Sequence, residues 1–288
     1  MKVDLRSRRR GGKHRAAPVR ERHRRQLMLA AVVLFTFVLI ALGWRVTGGR
    51  WLSVDSPSMG EAAPVGTLVL TRPTHLDQLR QGDIISFTPT GGGPVHTHRV
   101  ERITLGQVFT KGDINGAEDP RPVAEEQLVG KAVARWWGLA WLVKSLPILI
   151  PGSALVWLAT RWTGSRWRTP LRLVGYPLVV CAAIVVLRPL VNASLLTTLG
   201  QEDSVRATVV STGLLPIRVQ TPDDVFADLR SGQVSDLVSH AADAKGQVSL
   251  SVDAHMSWLW WTVCFALCSI PLAASVYLGL RANRGPVT

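Results

Sequence analysis

Ser56, Ser58, His96, His98, Asp113 and Asp119 fall in one stretch otherwise built of short apolar runs. A serine hydroxyl is a poor nucleophile at its own pKa. Amide hydrolysis by serine therefore needs a base within hydrogen-bond reach and donors for the oxyanion. With His75, the histidines at 96 and 98 are the bases on offer in this stretch. On a strand, residues two apart face the same way, so both would point to one side. A general base, a metal ligand and a solvated strand residue are all compatible with that spacing.

The elements that must position these residues read as β structure. GTLVLTRP, GDIISFTP, VHTHRVERI, QVFT and LVGKAVAR are rich in Val, Ile, Leu, Thr and Phe and are separated by Gly, Pro and Asp turn signals. About 90 residues of this kind suit a small barrel-like sheet, with the polar residues at strand ends and in turns, where chemistry is usually placed.

Around this β segment the composition is that of a multi-pass membrane protein. Of 288 residues 47% are hydrophobic, and they are gathered in blocks. The formal charge is +13, and the first 25 residues carry eleven Lys or Arg against Asp4 and Glu21. Such an arm could attract nucleic acid or anionic lipid. Directly before the uncharged run Met28–Trp44 it reads better as a topological signal, so no nucleic-acid partner is expected. That run is about 25 Å long as a helix, enough for a thin hydrocarbon core. It is followed by RVTGGRW rather than a small-x-small cleavage site, which favours an uncleaved anchor over a secretory signal.

Three more apolar blocks follow: Ser145–Thr160 (interrupted upstream by Lys144, with Pro147 and Pro151 inside), Leu171–Leu187 and Met256–Leu280. Arg161, Arg166, Arg168 and Arg172 lie between the first two with no acid, so that loop should share the arm's side of the membrane. The resulting plan is a basic cytoplasmic arm (1–27), an anchor (28–46), a β-rich extracytoplasmic domain (47–135), an interfacial and transmembrane segment (136–162), a cytoplasmic loop (163–172), a helix (173–190), a second small β-containing extracytoplasmic region (191–255), a fourth helix (256–280) and a tail (281–288). Nine of the eleven tryptophans sit near span ends, as amphipathic rings prefer. Cys181, Cys264 and Cys268 all fall in expected spans, so neither external region has a cysteine for a disulfide.

SPSM at 56–59, GDIISF at 82–87, HRV at 98–100, TKGDINGAED at 110–119 and VGKA at 129–132, in this order after a membrane anchor, closely resemble type I signal peptidases of peptidase family S26. The resemblance covers about residues 28 to 135 and is to the endoplasmic-reticulum, archaeal and sporulation-associated branch. It implies a mainly β catalytic domain against the outer membrane face, acting as a serine endopeptidase that removes signal peptides after small residues. Exported precursors, membrane lipid and the translocon are the partners it implies, with no cofactor or metal. By position, Ser58 resembles the nucleophile and His98 the general base, because His98 directly precedes Arg-Val and His96 does not. Asp119 resembles the acid that orients the histidine, Ser56 an oxyanion donor beside the Ser58 N–H, and Asp113 a supporting carboxylate. In the eubacterial main branch a lysine takes the histidine's place. A lysine base must be shifted by about three pKa units, about 4 kcal/mol, to work near pH 7, whereas a histidine needs almost no shift.

The chain departs from the family pattern in three places. Pro57 stands for a glycine between the serines, Gly60 and Glu61 stand where a proline commonly follows the methionine, and Thr67 replaces an acid after Gly66. The second external region has no counterpart in the family's catalytic core and is expected to govern substrate choice or stability. Within it, SVRATVVSTGLLPIRVQTP and QVSLSVDAH look like strands, and DDVFADLRSGQVSDLVSHAADA partly helical.

Overall fold

Long uncharged apolar segments become helices because a backbone deprived of water must satisfy its polar groups internally. The computed structural model describes residues 19–201, 204–241 and 248–283 and places helices in all four apolar blocks. These are α1 (Val19–Val46), α2 (Leu139–Arg161), α3 (Ser165–Leu187) and α4 (Trp258–Asn283). Among the described residues three helices are long and apolar enough to cross a membrane, namely Arg24–Val46, Leu139–Arg161 and Trp167–Leu187. In α4 the apolar stretch so described runs Trp258–Ile270 and is shorter. The segment interrupted by prolines is thus one continuous helix. Residues 1–18 of the expected basic arm and 284–288 of the tail lie outside the described residues.

The chain divides into two units, residues 1–48 and 49–288. Unit one contributes α1. In unit two, six strands form one antiparallel sheet: β1 (Arg50–Ser53), β2 (Leu68–Arg72), β3 (Ile84–Phe87), β4 (His96–Thr104), β5 (Gln107–Lys111) and β6 (Leu128–Trp136). Their spatial order is β1-β2-β6-β3-β4-β5, with β1 and β5 at the edges. Successive residues point to opposite faces, and neighbours Ile84 and Ile85 accordingly enter different cores. Ile85 packs with Leu79, Phe87, Val100, Val108 and Val123. Ile84 packs with Val54, Met59, Ala63 and Val69. A sheet covered on both faces has little freedom to slip in register, which makes it a firm base for a site.

Helices α2 and α3 pack closely through small residues. A Cβ on Gly152 would lie 2.6 Å from a methyl of Val179, and one on Gly175 2.8 Å from a methyl of Val156. Small residues at such crossings let helix backbones approach. The start of α2 also touches the β domain. Lys144 Nζ donates to Asp55 Oδ1 at 2.5 Å, which gives the lysine of this apolar helix a partner just ahead of the SPSM segment. The indole of Trp141 occupies the space a side chain on Gly66 would need.

Between α3 and α4 the chain forms β7 (Ala193–Gln201), β8 (Ser204–Ser211), β9 (Ile217–Gln220), β10 (Phe226–Leu229), β11 (Val234–Ser239) and β12 (Ser251–Ala254). They make two three-stranded antiparallel sheets, β11-β8-β7 and β10-β9-β12. Ala207, Val209, Ile217, Val219, Leu229 and Leu237 from both sheets share one core. Within 223–244, expected to be partly helical, the described residues instead form the strands β10 and β11. Apolar residues there occur at spacings that a helix also uses, but Gly232, at φ +82, turns the chain and pairing with β9 and β8 decides the outcome. The last residues of that expected helix, from 242, lie outside the described residues.

Candidate active site

The SPSM segment leaves β1 through Ser56 and enters a 3₁₀ turn, Pro57–Ala62. Ser56 is extended (φ −110, ψ 151), as a residue before proline must be. Pro57 then opens the turn, where its fixed φ fits and its missing N–H would have had no intrahelical acceptor. Its departure from the family's glycine is therefore accommodated. Gly60 (φ 50, ψ −132) reverses the chain inside the turn, a conformation proline cannot adopt and side chains strain to adopt. Met59 is fully buried and anchors the turn in the core with Val54, Ala63 and Val69.

His98 comes from β4, between β3 and β5, and pairs with Ile85. Its ring is buried and meets the Phe87 ring edge-on at 5.9 Å. His98 Nε2 lies 3.1 Å from Ser58 Oγ, and His98 Nδ1 lies 2.7 Å from Asp119 Oδ2. Burial by itself would raise the Asp119 carboxyl, but hydrogen bonds from His98 and Thr110 outweigh it and hold the carboxyl below the usual range. With Asp119 ionised, the Nδ1–H donates to it and Nε2 is left to accept the Ser58 hydroxyl proton. Ser56 Oγ stands 3.2 Å from Ser58 Oγ. The Ser58 N–H falls in the first turn of its helix, where N–H groups lack intrahelical acceptors and are free to bind an anion.

Asp113 is not part of this chain of bonds. It receives Arg99 Nε at 2.9 Å and Arg99 Nη2 at 2.6 Å, and the pair raises the guanidinium pKa further. Arg99 follows His98 on β4 and so points to the other face; it also donates to the Gly82 carbonyl at 3.0 Å. Asp113 thus ties the TKGD loop to the GDII turn. Asp83 of that turn pairs with Lys131 of VGKA at 2.8 Å, so four of the five motifs, HRV included through Arg99, meet as structural ties. His96 faces the same side as His98, with ring centroids 5.6 Å apart, and is exposed. Among the described residues no group of three His, Cys, Asp or Glu side chains converges to hold a metal ion.

No family model matches the chain. It is similar to Signal peptidase I W of Bacillus subtilis (strain 168), with 34% identity over 113 residues, which cover 34% of this chain and 59% of that protein. This homology supports peptidase family S26. The match spans about three-fifths of the relative's length, so the relative's activity is not transferred by it alone.

Three contributors to the site carry no signal that residue type alone would reveal. Thr110 donates to Asp119 Oδ2 at 2.5 Å, and its carbonyl accepts the Asp119 N–H at 2.8 Å, fixing the acid from two sides. The Ile114 N–H holds the Ser58 carbonyl at 3.0 Å. A Cβ on Gly112 would meet that same carbonyl at 2.7 Å. All three lie within TKGDINGAED, so the motif's order was the available clue and its hydrogen bonds were not.

Proposed function

We propose that the chain is a membrane-bound serine endopeptidase that removes signal peptides from exported precursors after small residues. The observation that carries this reading is the continuous Ser58, His98, Asp119 hydrogen-bonded chain. His98 takes the Ser58 proton as Oγ attacks the scissile carbonyl, and Asp119 stabilises the imidazolium so formed. Ser56 Oγ and the Ser58 N–H receive the oxyanion. The proton on His98 then passes to the leaving amine, and a water activated by the same ring releases the acyl group.

The surroundings suit an extended peptide. β1 is an edge strand, and a hollow of about 370 Å³ beside it is lined by Leu52, Val54, Ser56, Val95 and Thr97 among others. A strand edge offers main-chain hydrogen bonds, and a hollow that mixes apolar groups with Ser53, Asp55 and His96 accepts small side chains. The Lys144–Asp55 link keeps this segment beside the start of α2, where a precursor leaving the membrane would pass. On the topology proposed here, four spans place both chain ends in the cytoplasm and the site outside.

The test is cleavage, by the purified full chain in lipid vesicles, of a precursor bearing an Ala-x-Ala junction. Cleavage after the second alanine, unaffected by chelator and absent in Ser58→Ala, is expected. A chain that binds the precursor without cutting it would overturn the reading.

A further inference from the structure

Gly60 is where the nucleophile turn bends back, and a distant part of the chain meets it there. A Cβ on Gly60 would lie 2.5 Å from Ile114 Cγ2 and 3.4 Å from the carbonyl oxygen of Gly232. The contact is reciprocal. A Cβ on Gly232 would lie 2.5 Å from the Gly60 carbonyl oxygen, 2.6 Å from its carbon and 2.8 Å from the Glu61 nitrogen. Main chain therefore rests on main chain, and no flexible side chain is present to give way.

Gly232 is itself held firmly. It sits at φ +82 in the turn between β10 and β11, and its N–H donates to the Ser211 carbonyl at 2.8 Å. The Ser211 N–H donates to the Gln233 carbonyl at 3.0 Å, and the Gln233 N–H closes the turn on Arg230 at 2.9 Å. Behind the turn, β8 and β11 pair from Val234↔Val210 to Ser239↔Val205. Ile114, whose Cγ2 also faces the Gly60 position, holds the Ser58 carbonyl through its N–H. Residues 58 to 61 are thus in contact with both the TKGD loop and the second β region.

We infer that Gly232 is a positioning residue for Ser58, so that the second β region sets the geometry of the nucleophile and is not only a determinant of stability or substrate choice. The kinetic part of the inference rests on the peptidase reading proposed above. A displacement of Ser58 by about 1 Å is enough to cost about 10²-fold in rate.

Gly232→Ala adds both a Cβ and strain at positive φ. Gly232→Asn adds the Cβ while tolerating that φ better. Gly106→Ala, at φ +75 with open space around it, adds strain without the contact. Both Gly232 variants should lose about 10²-fold in kcat with KM within about twofold, and Gly106→Ala should match the unmutated chain. Recovery of full activity in Gly232→Asn would overturn the inference, because the defect would then be turn strain alone.

A second measurement needs no peptidase activity. In a chain with Cys181, Cys264 and Cys268 changed to alanine, Ser58→Cys places a thiol whose alkylation by iodoacetamide His98 should accelerate. Adding Gly232→Asn should bring that rate down toward the rate with His98→Ala; an unchanged rate would overturn the inference. If the unmutated chain shows no Ser58-dependent cleavage and the thiol rate still falls, the peptidase reading fails and the positioning role stands. Should the Gly232 variants not fold, amide hydrogen exchange on the unmutated chain decides. Residues 59–62 should then be as protected as β8 and β11, and fast exchange at 59–62 beside slow exchange in those strands would overturn the inference.

Discussion

Replacing Asp119 by asparagine keeps the shape of the side chain and removes its charge, which isolates what the carboxylate does for His98. One oxygen, Oδ2, receives both His98 Nδ1–H at 2.7 Å and Thr110 Oγ–H at 2.5 Å, in a side chain only about one-fifth exposed. If the amide turns its oxygen toward His98, the bond survives without charge. A hydrogen bond to a charged group contributes about 1.5–3 kcal/mol, so kcat should fall about ten- to 150-fold. If the amide turns its NH₂ toward His98, Nδ1 must become the acceptor. The proton then moves to Nε2, the atom that faces Ser58, and the base is blocked. The same wrong tautomer in other serine triads lowers kcat by about 10⁴. Thr110 permits this second outcome, because its hydroxyl, which donates to Oδ2, can rotate to accept from an amide. The expected result is a loss of about 10⁴, or about 5.5 kcal/mol, with KM nearly unchanged. Thr110→Val leaves the charge and removes one bond, so about tenfold is expected. The assay is kcat and KM on a precursor with an Ala-x-Ala junction. Activity of Asp119→Asn within threefold of the unmutated chain, or a Thr110→Val defect larger than that of Asp119→Asn, would refute the reasoning.

The Asp119 carboxyl is held below its ordinary value, so its stabilising effect is complete above the unfolded value near 4 and is lost as pH falls through the lower folded value; acid unfolding of Asp119→Asn should lack that component. Asp113→Ala should lower stability by about 1 kcal/mol, allowing for the partial exposure of its Arg99 pair, and leave kcat within about threefold; a loss near that of Asp119→Asn would place Asp113 in the catalytic chain. Cysteines introduced at Ser165 and at Leu199, in a chain lacking the native three, should react with impermeant reagent from opposite sides of the membrane, and labelling of both from one side would refute the four-span topology.

Strands β2 to β6 were legible because each is a run of β-branched or aromatic residues bounded by Gly, Pro or Asp. β1 was not, since Arg50–Ser53 is short and gains its pairing only from β2. The stretch from Phe226 to Ser239 is ambiguous in sequence because its valines and leucines fit two periods, and only pairing of β10 with β9 and of β11 with β8, in two different sheets, selects one. In the site, the order of the motifs pointed to Ser58, His98 and Asp119, and the structure brings these three side chains together with Ser56. The partner of Asp113 was hidden because Arg99 leaves β4 on the face away from His98. The meeting of Gly60 with Gly232 joins residues far apart in sequence through main-chain atoms, and residue types carry no record of such a contact.

The central claim is that Ser58 and His98 act as one nucleophilic unit, and a double-mutant cycle on precursor cleavage tests it most directly. Ser58→Ala and His98→Ala should each remove nearly all of the rate, the double variant should be scarcely worse than either, and His96→Ala should be mild, all without response to chelator. Losses that simply multiply in the double variant, or a chelator-sensitive rate to which His96 and His98 contribute equally, would contradict the account.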